Sequence, residues 1–291
     1  MRRDDRRPQM TDAEMTDTAG AHTAGADART HAQHLVLRDL AADLARAAGQ
    51  VALAGRRSGD ALGGSMKSTP TDLVTKYDQQ AEATIVSQLR ASRPNDAIVG
   101  EEGANYPGTS GYAWHIDPID GTTNFVYDLP GWAVSIGVEY QGVAVAGAVF
   151  VPGLDELFAA ALNAGATLNG KPISPSDQSD VALALVCTGF SYQPESRQAQ
   201  ANRIARIISS IRDIRRLGAA SVDCCFVACG RLDGYFEENV KSWDIMAGGL
   251  IAREAGAVSS DFSGGAARPS EFLVAAPGIH TALLQLVNRH D

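Results

Sequence analysis

Apolar positions begin late in this chain. Residues 1–34 contain no Leu, Ile, Val, Phe, Tyr or Trp, and Leu35 is the first strong hydrophobe. Leu37, Leu40, Ala41, Leu44, Ala47, Ala48 and Val51 then recur every three or four residues, which predicts an amphipathic helix over 34–56. A Gly/Ser-rich loop leads to an extended Leu73-Val74-Thr75. Ala81, Ile85 and Leu89 mark a second helix that starts at Asp78 and stops before Pro94. Short apolar runs predict strands at 97–100 and 113–116, and a hairpin pairs 133–140 with 143–151 across Gln141-Gly142.

Beyond Pro152-Gly153 the pattern changes. Strands at 156–161, 182–188, 234–237 and 272–275 alternate with helices near 197–213, 219–230, 244–255 and 279–288. This is an α/β chain with a seam near 152, dividing 32–152 from 153–291, as two layers that share one crevice. Residues 1–31 cannot bury enough apolar surface to offset the entropy of ordering them, which predicts a disordered tail. Arg2, Arg3, Arg6 and Arg7 are like the start of a signal peptide, but no apolar run follows them.

Charge narrows the function. Among 291 residues, 25 Lys and Arg face 34 Asp and Glu, a formal net charge of −9. An acidic chain is a poor general ligand for nucleic-acid backbones, so no direct nucleic-acid binding is expected. An anionic substrate stays open, because a bound cation reverses the local field. No stretch is apolar for long enough to span a membrane. The four cysteines, Cys187, Cys224, Cys225 and Cys229, lack zinc-site spacing and read as small buried hydrophobes, which fits a reducing, cytoplasmic setting.

Candidate chemistry concentrates in two runs. In Trp114-His115-Ile116-Asp117-Pro118-Ile119-Asp120-Gly121-Thr122-Thr123-Asn124-Phe125, a strand ends by delivering two carboxylates three residues apart. Pro118 and Gly121 then shape a turn whose N–H groups face the next element. Carboxylates in such a place suit hard divalent cations, and the exposed N–H groups suit a phosphate. Gly100-Glu101-Glu102-Gly103 adds two carboxylates at another strand end, and Trp243-Asp244 opens a helix of small residues. Singly, each has a plain reading: a solvated loop charge for Glu101 and Glu102, an N-cap for Asp78 and Asp244, a surface lysine for Lys67. Gathered in one crevice, the carboxylates would repel one another unless cations neutralised them, which argues for metal.

These blocks resemble the inositol monophosphatase family over roughly residues 35–288. The first signature is 114–125; the second is Trp243-Asp244 with Ala247-Gly248-Gly249 and Glu254-Ala255-Gly256-Ala257. Lys67–Thr75, Gly100-Glu101-Glu102 and Leu217-Gly218-Ala219-Ala220-Ser221 support it. The resemblance implies a layered αβαβα sandwich of the inositol monophosphatase and fructose-1,6-bisphosphatase type, and a lithium-sensitive phosphatase using two to three Mg²⁺, or Mn²⁺. By the same resemblance, Glu101, Asp117 and the Ile119 carbonyl hold a first ion, and Asp117, Asp120 and Asp244 a second. A third stands beside Glu101, with Glu102 and Lys67 as accessory positions. Gly121 and Thr122 N–H groups take the phosphate, Thr122 and Asp78 act on the attacking water, and Glu237 with the Ala220 backbone meets substrate hydroxyls. No residue offers itself for a covalent intermediate, and His115 reads as structural. The family also makes a homodimer the expectation.

Two departures stand out. Met246 occupies a position where the family usually has Ala or Cys, and is read as packing. Tyr127 replaces a frequent His. Thr123 where other branches carry Lys, and a carboxylate at Glu237, both point to myo-inositol 1-phosphate, with histidinol phosphate or other polyol and sugar phosphates as the alternative. A third reading, from another class, is a regulatory partner of the transcription machinery. Arg203, Arg206, Arg212, Arg215 and Arg216 could form a partner face, but are read as the solvated side of a helix whose other side is Ile204, Ile207, Ile208 and Ile211.

Overall fold

The computed structural model describes residues 12–58, 65–66 and 73–288. Helix α1 (Asp12–Arg57) is followed by a two-stranded ribbon, β1 (Ser65–Met66) with β2 (Leu73–Val74), and by α2 (Lys76–Ser92). Then come β3 (Ala97–Gly100), β4 (Asn105–Tyr106), β5 (Tyr112–Asp120), a short α3 (Thr122–Val126), β6 (Ala133–Tyr140), β7 (Val143–Val151), β8 (Glu156–Ala161), β9 (Ala166–Leu168) and β10 (Lys171–Pro172). The second half runs β11 (Leu185–Thr188), α4 (Pro194–Ile207), β12 (Asp213–Arg215), α5 (Ala220–Ala228), β13 (Gly234–Glu238), α6 (Ser242–Ala255), β14 (Val258–Ser260), β15 (Glu271–Ala275) and α7 (His280–Val287).

Two sheets organise these elements. One has eight strands in the order β10-β9-β8-β7-β6-β5-β3-β4, the other five in the order β12-β11-β13-β15-β14. Leu37, Leu44 and Ala48 of α1 and Ile85 and Leu89 of α2 pack on Ile116, Ile136 and Phe150 of the first sheet. On its other face, Val222 and Cys225 of α5 and Leu250 and Ile251 of α6 meet Val149 and Phe158, and also Tyr235, Phe272 and Val274 of the second sheet. Ile207 of α4 and Leu283 of α7 close the outer face, over Val186, Phe236 and Leu273. The layers are α, β, α, β, α, the sandwich that the resemblance implies.

Several predicted boundaries move, each for a physical reason. Helix α1 takes in part of the segment expected as a disordered tail; among its described side chains residues 30–33 are exposed and His34 is the first buried one. Apolar periodicity could register only from Leu35, where strong hydrophobes begin. The rest of that tail, residues 1–11, and Lys67 lie outside the described residues. The expected strand 182–188 divides into a single helical turn, Val181–Leu183, and β11. The expected helix 197–213 ends at Ile207, and Asp213–Arg215 forms β12 beside β11.

Small residues bring the central helices close. A Cβ built on Gly147 of β7 would stand 2.9 Å from the Ala247 Cα, and one on Gly137 of β6 would meet Met246 Cβ at 2.6 Å and the Ala247 N at 2.9 Å. Met246 therefore fills the groove above Gly137, the packing role expected of it, and it does not line the cavity described next.

Candidate active site

Strand β5 runs further than its apolar run predicts, through Asp120, and its register against β6 slips between Asp117/Ser135 and Asp120/Ala133. Pro118 has no N–H for the ladder, so the bulge falls on Asp117-Pro118-Ile119-Asp120 and re-aims the two aspartates. Within the bulge, Ile119 N–H donates to Asp117 Oδ1 at 3.0 Å. Gly121 then takes a left-handed φ of 89°, where a Cβ would stand 3.1 Å from the Gly218 carbonyl and from Ala219, and α3 begins. A side chain here would be strained and crowded.

Thr122 and Asp78 stand together as expected. The Thr122 hydroxyl is 3.2 Å from Asp78 Oδ1 and 3.1 Å from the Ile119 carbonyl. Asp78 is the third residue of α2, not its cap: Thr75 is the cap, and its N–H and hydroxyl donate to Asp78 Oδ2 at 2.8 and 2.5 Å. Both Asp78 and Thr122 are buried.

The second half of the chain closes the site. Helix α5 is capped by Ala219, whose methyl cannot accept from the first N–H groups, and Asp120 supplies the acceptor from across the fold. Ala220 N–H reaches Asp120 Oδ1 at 3.2 Å, while Ser221 N–H and hydroxyl reach Oδ2 at 2.7 and 2.5 Å. Asp244 occupies the third position of α6 and accepts from Lys241 N–H at 2.7 Å. Glu237 ends the buried run of β13 and accepts from the Tyr235 hydroxyl at 2.8 Å.

One cavity of about 450 Å³ gathers Glu101, Asp117, Ile119, Asp120, Gly121, Thr122, Ala220, Glu237 and Asp244. Asp78 sits behind Thr122, and Glu102 is not in the lining; its N–H donates to Glu82 at 2.9 Å. Burial, reinforced by Glu101, Asp120 and Asp244, holds the Asp117 carboxyl well above its usual range. Burial and the charge of Asp120 do the same to Asp244. Asp120 is pushed up to about 6 by burial, against the opposing bonds from Ser221, and Glu237 to about 7, against Tyr235 and Arg216. Among the described residues, no three His, Cys, Asp or Glu side chains close into a cage. The donor set is nonetheless all oxygen, carboxylates with one carbonyl, buried close enough together to raise one another's pKa; both features fit hard divalent cations.

The match to known proteins spans the stretch that carries these residues. The model of the inositol monophosphatase family matches residues 35–291. The chain belongs to that family. It is 41% identical over 248 residues to the inositol-1-monophosphatase of Mycobacterium bovis, covering 81% of this chain and 85% of that protein. It is 39% identical to the Nus factor SuhB of Pasteurella multocida, over 86% of this chain and 94% of that one. Its fold superposes on the extragenic suppressor protein SuhB of Bartonella henselae with a TM-score of 0.84, at 31% identity, over 88% of this chain and all of that one. As an inositol monophosphatase family member, the chain is a phosphoric monoester hydrolase.

Sequence reasoning missed part of this family member's cavity. Arg216 lines it, whereas it was expected on the solvated face of a helix that in fact ends before it. Three of the neighbouring arginines have partners inside the chain: Arg203 pairs with Glu238 at 2.6 Å, Arg215 with Asp213 at 2.6 Å, and Arg212 donates to the Leu183 carbonyl at 2.7 Å. Gly189, Phe190, Tyr192, Asp223 and Lys241 also line the cavity. Adjacency of Arg216 to the Leu217–Ser221 block was the one signal that could have found it. His115 is structural as read, its Nδ1 2.8 Å from the Ser242 hydroxyl at the start of α6. All four cysteines are free thiols, and burial raises their pKa. Among the described residues no helix is long and apolar enough to cross a membrane.

Proposed function

We propose that the protein hydrolyses polyol phosphate monoesters, myo-inositol 1-phosphate first among them, using Mg²⁺ and water with no covalent intermediate. The observation that carries this reading is the convergence of Glu101, Asp117, Asp120 and Asp244 with the Gly121-Thr122 turn and Glu237 on one cavity. Glu101, Asp117 and the Ile119 carbonyl would hold one ion, Asp117, Asp120 and Asp244 a second, and Glu101 with Glu102 nearby a more loosely bound third. Bound there, divalent ions supply charge neutralisation of the phosphate and its leaving oxygen and acidify an attacking water.

The protein's own groups do the rest. Asp78 Oδ1, 3.2 Å from the Thr122 hydroxyl, can accept its proton, and the Thr122 oxygen can then accept one from water. The N–H groups of Gly121 and Thr122 hold the phosphate. Glu237 accepts from hydroxyls of the alcohol and would repel a second phosphate, which favours inositol phosphate over bisphosphate substrates. Lithium inhibition and a homodimer belong to the same reading.

A phosphate-release panel tests it: inositol 1-phosphate, histidinol phosphate, fructose 1,6-bisphosphate and adenosine 3′,5′-bisphosphate, each with and without Mg²⁺. Inositol 1-phosphate should lead and every activity should need the metal. Asp117→Asn should lower turnover at least a hundredfold with the melting temperature preserved; an active variant would overturn the ligand assignment. Identity to relatives called Nus factor SuhB favours a second reading, a partner of the transcription machinery. Retention of RNA polymerase components by the Asp117→Asn protein would separate that role from catalysis.

A further inference from the structure

Parallel strands β11 and β13 pair Cys187 with Tyr235 and Thr188 with Phe236, so Gly189 is the next position along, beside Glu237. The Thr188 hydroxyl fixes this end of β11 by donating to the Phe236 carbonyl at 2.8 Å. The three atoms nearest a Cβ built on Gly189 are Oε2, Cδ and Oε1 of Glu237, all within the distance at which something must shift. Gly189 is not among the residues of positive φ, so its backbone does not call for glycine; the space does. The buried Tyr235 hydroxyl donates to Oε2 at 2.8 Å, and Oε1 carries no hydrogen bond among the described residues. Glu237 is thus seated between a fixed donor and an absent side chain, with one oxygen left for the cavity that it lines.

We propose that Gly189 is the positioning residue for substrate selectivity: the missing side chain keeps open the space from which the Glu237 carboxylate reads hydroxyls of the leaving alcohol. This rests on reading the site as a polyol phosphatase. Any side chain at 189 drives the carboxylate off its seat, and the protein loses discrimination for hydroxylated leaving groups more than it loses phosphate chemistry.

The test is a two-residue cycle, G189A, E237A and the double variant. It is read as the ratio of kcat/KM for inositol 1-phosphate to that for 4-nitrophenyl phosphate, whose leaving group has no aliphatic hydroxyls. G189A should lower the ratio about tenfold to a hundredfold, the worth of a charge-assisted hydrogen bond, chiefly through KM for inositol 1-phosphate. In the E237A background the same change should lower it no further, because the carboxylate it displaces is gone. An unchanged ratio in G189A, or effects that multiply in the double variant, would overturn the proposal. If G189A does not fold, the double variant must regain a cooperative melt, since the crowding atoms are removed; one that stays unfolded also overturns it. A wild type that cleaves 4-nitrophenyl phosphate and no hydroxylated monoester would sink the polyol reading itself, and it would do so before any variant is made.

Discussion

Asp96 shows how one side chain organises a motif without touching its chemistry. Its carboxylate accepts from the Trp114 indole at 2.9 Å, from the Ser110 hydroxyl at 2.7 Å and from Arg93 at 2.7 Å, tying the end of α2 to the start of β5. Trp114, first residue of the acidic motif, is therefore an anchor for the strand that carries Asp117 and Asp120. Burial would raise the Asp96 carboxyl, but the bonds from Arg93, Trp114 and Ser110 outweigh it and hold it below the usual range. A lowered folded pKa stabilises the fold above the unfolded value of about 3.9, and that contribution is lost as pH falls through the folded value. Asp96→Asn should cost about 1–3 kcal/mol at pH 7 in urea unfolding, and the gap to wild type should narrow below pH 4. A gap that does not change with pH would show that packing, not charge, is what the residue contributes.

At the scale of elements, the decisive contact is α6 lying on β6 and β7. The helix carries Asp244 on its first turn, so its depth in the fold sets where that carboxylate stands. Gly147→Ala would press a methyl group onto the Ala247 backbone, a contact that no rotamer change relieves. Overpacking of this kind costs about 1–3 kcal/mol, measurable by chemical denaturation, and should raise the Mg²⁺ concentration needed for half-maximal activity. A destabilised variant with unaltered metal demand would mean that Asp244 tolerates movement of its helix. Elements of this sort were largely legible in the sequence. The hairpin 133–151 and helices α2, α5, α6 and α7 appear within a few residues of their predicted places, because each has an apolar face. Among the strands missed, β4 and β10 bury little and β1, β9, β12 and β14 are two or three residues long, too short for periodicity to register. In the site, carboxylates announced themselves through motif spacing. Gly189 and Arg216 carried no such mark, because their importance lies in what stands across from them.

For the whole molecule, the formal charge of −9 acquires a location. Seven carboxylates from both halves of the chain line one cavity, and burial raises the pKa of five of them, Asp117, Asp120, Asp223, Glu237 and Asp244. A ligand that binds only the folded state stabilises it by mass action, about 2.7 kcal/mol at a hundred times its Kd. Mg²⁺ should therefore raise the melting temperature in a concentration-dependent way, and chelation should lower it again. Asp117→Asn should abolish most of that response. A melting temperature indifferent to divalent ions would count against a metal centre in this cavity.

The bulge in β5 and the paired ends of β11 and β13 meet at that cavity from different sheets. The first carries most of the proposed phosphate and metal groups, the second the groups proposed to read the alcohol. Such a division has an evolutionary consequence. Mutations can sample new alcohols along the second sheet while the hydrolytic apparatus on the first is inherited untouched, so a lineage can change its substrate without passing through an inactive ancestor.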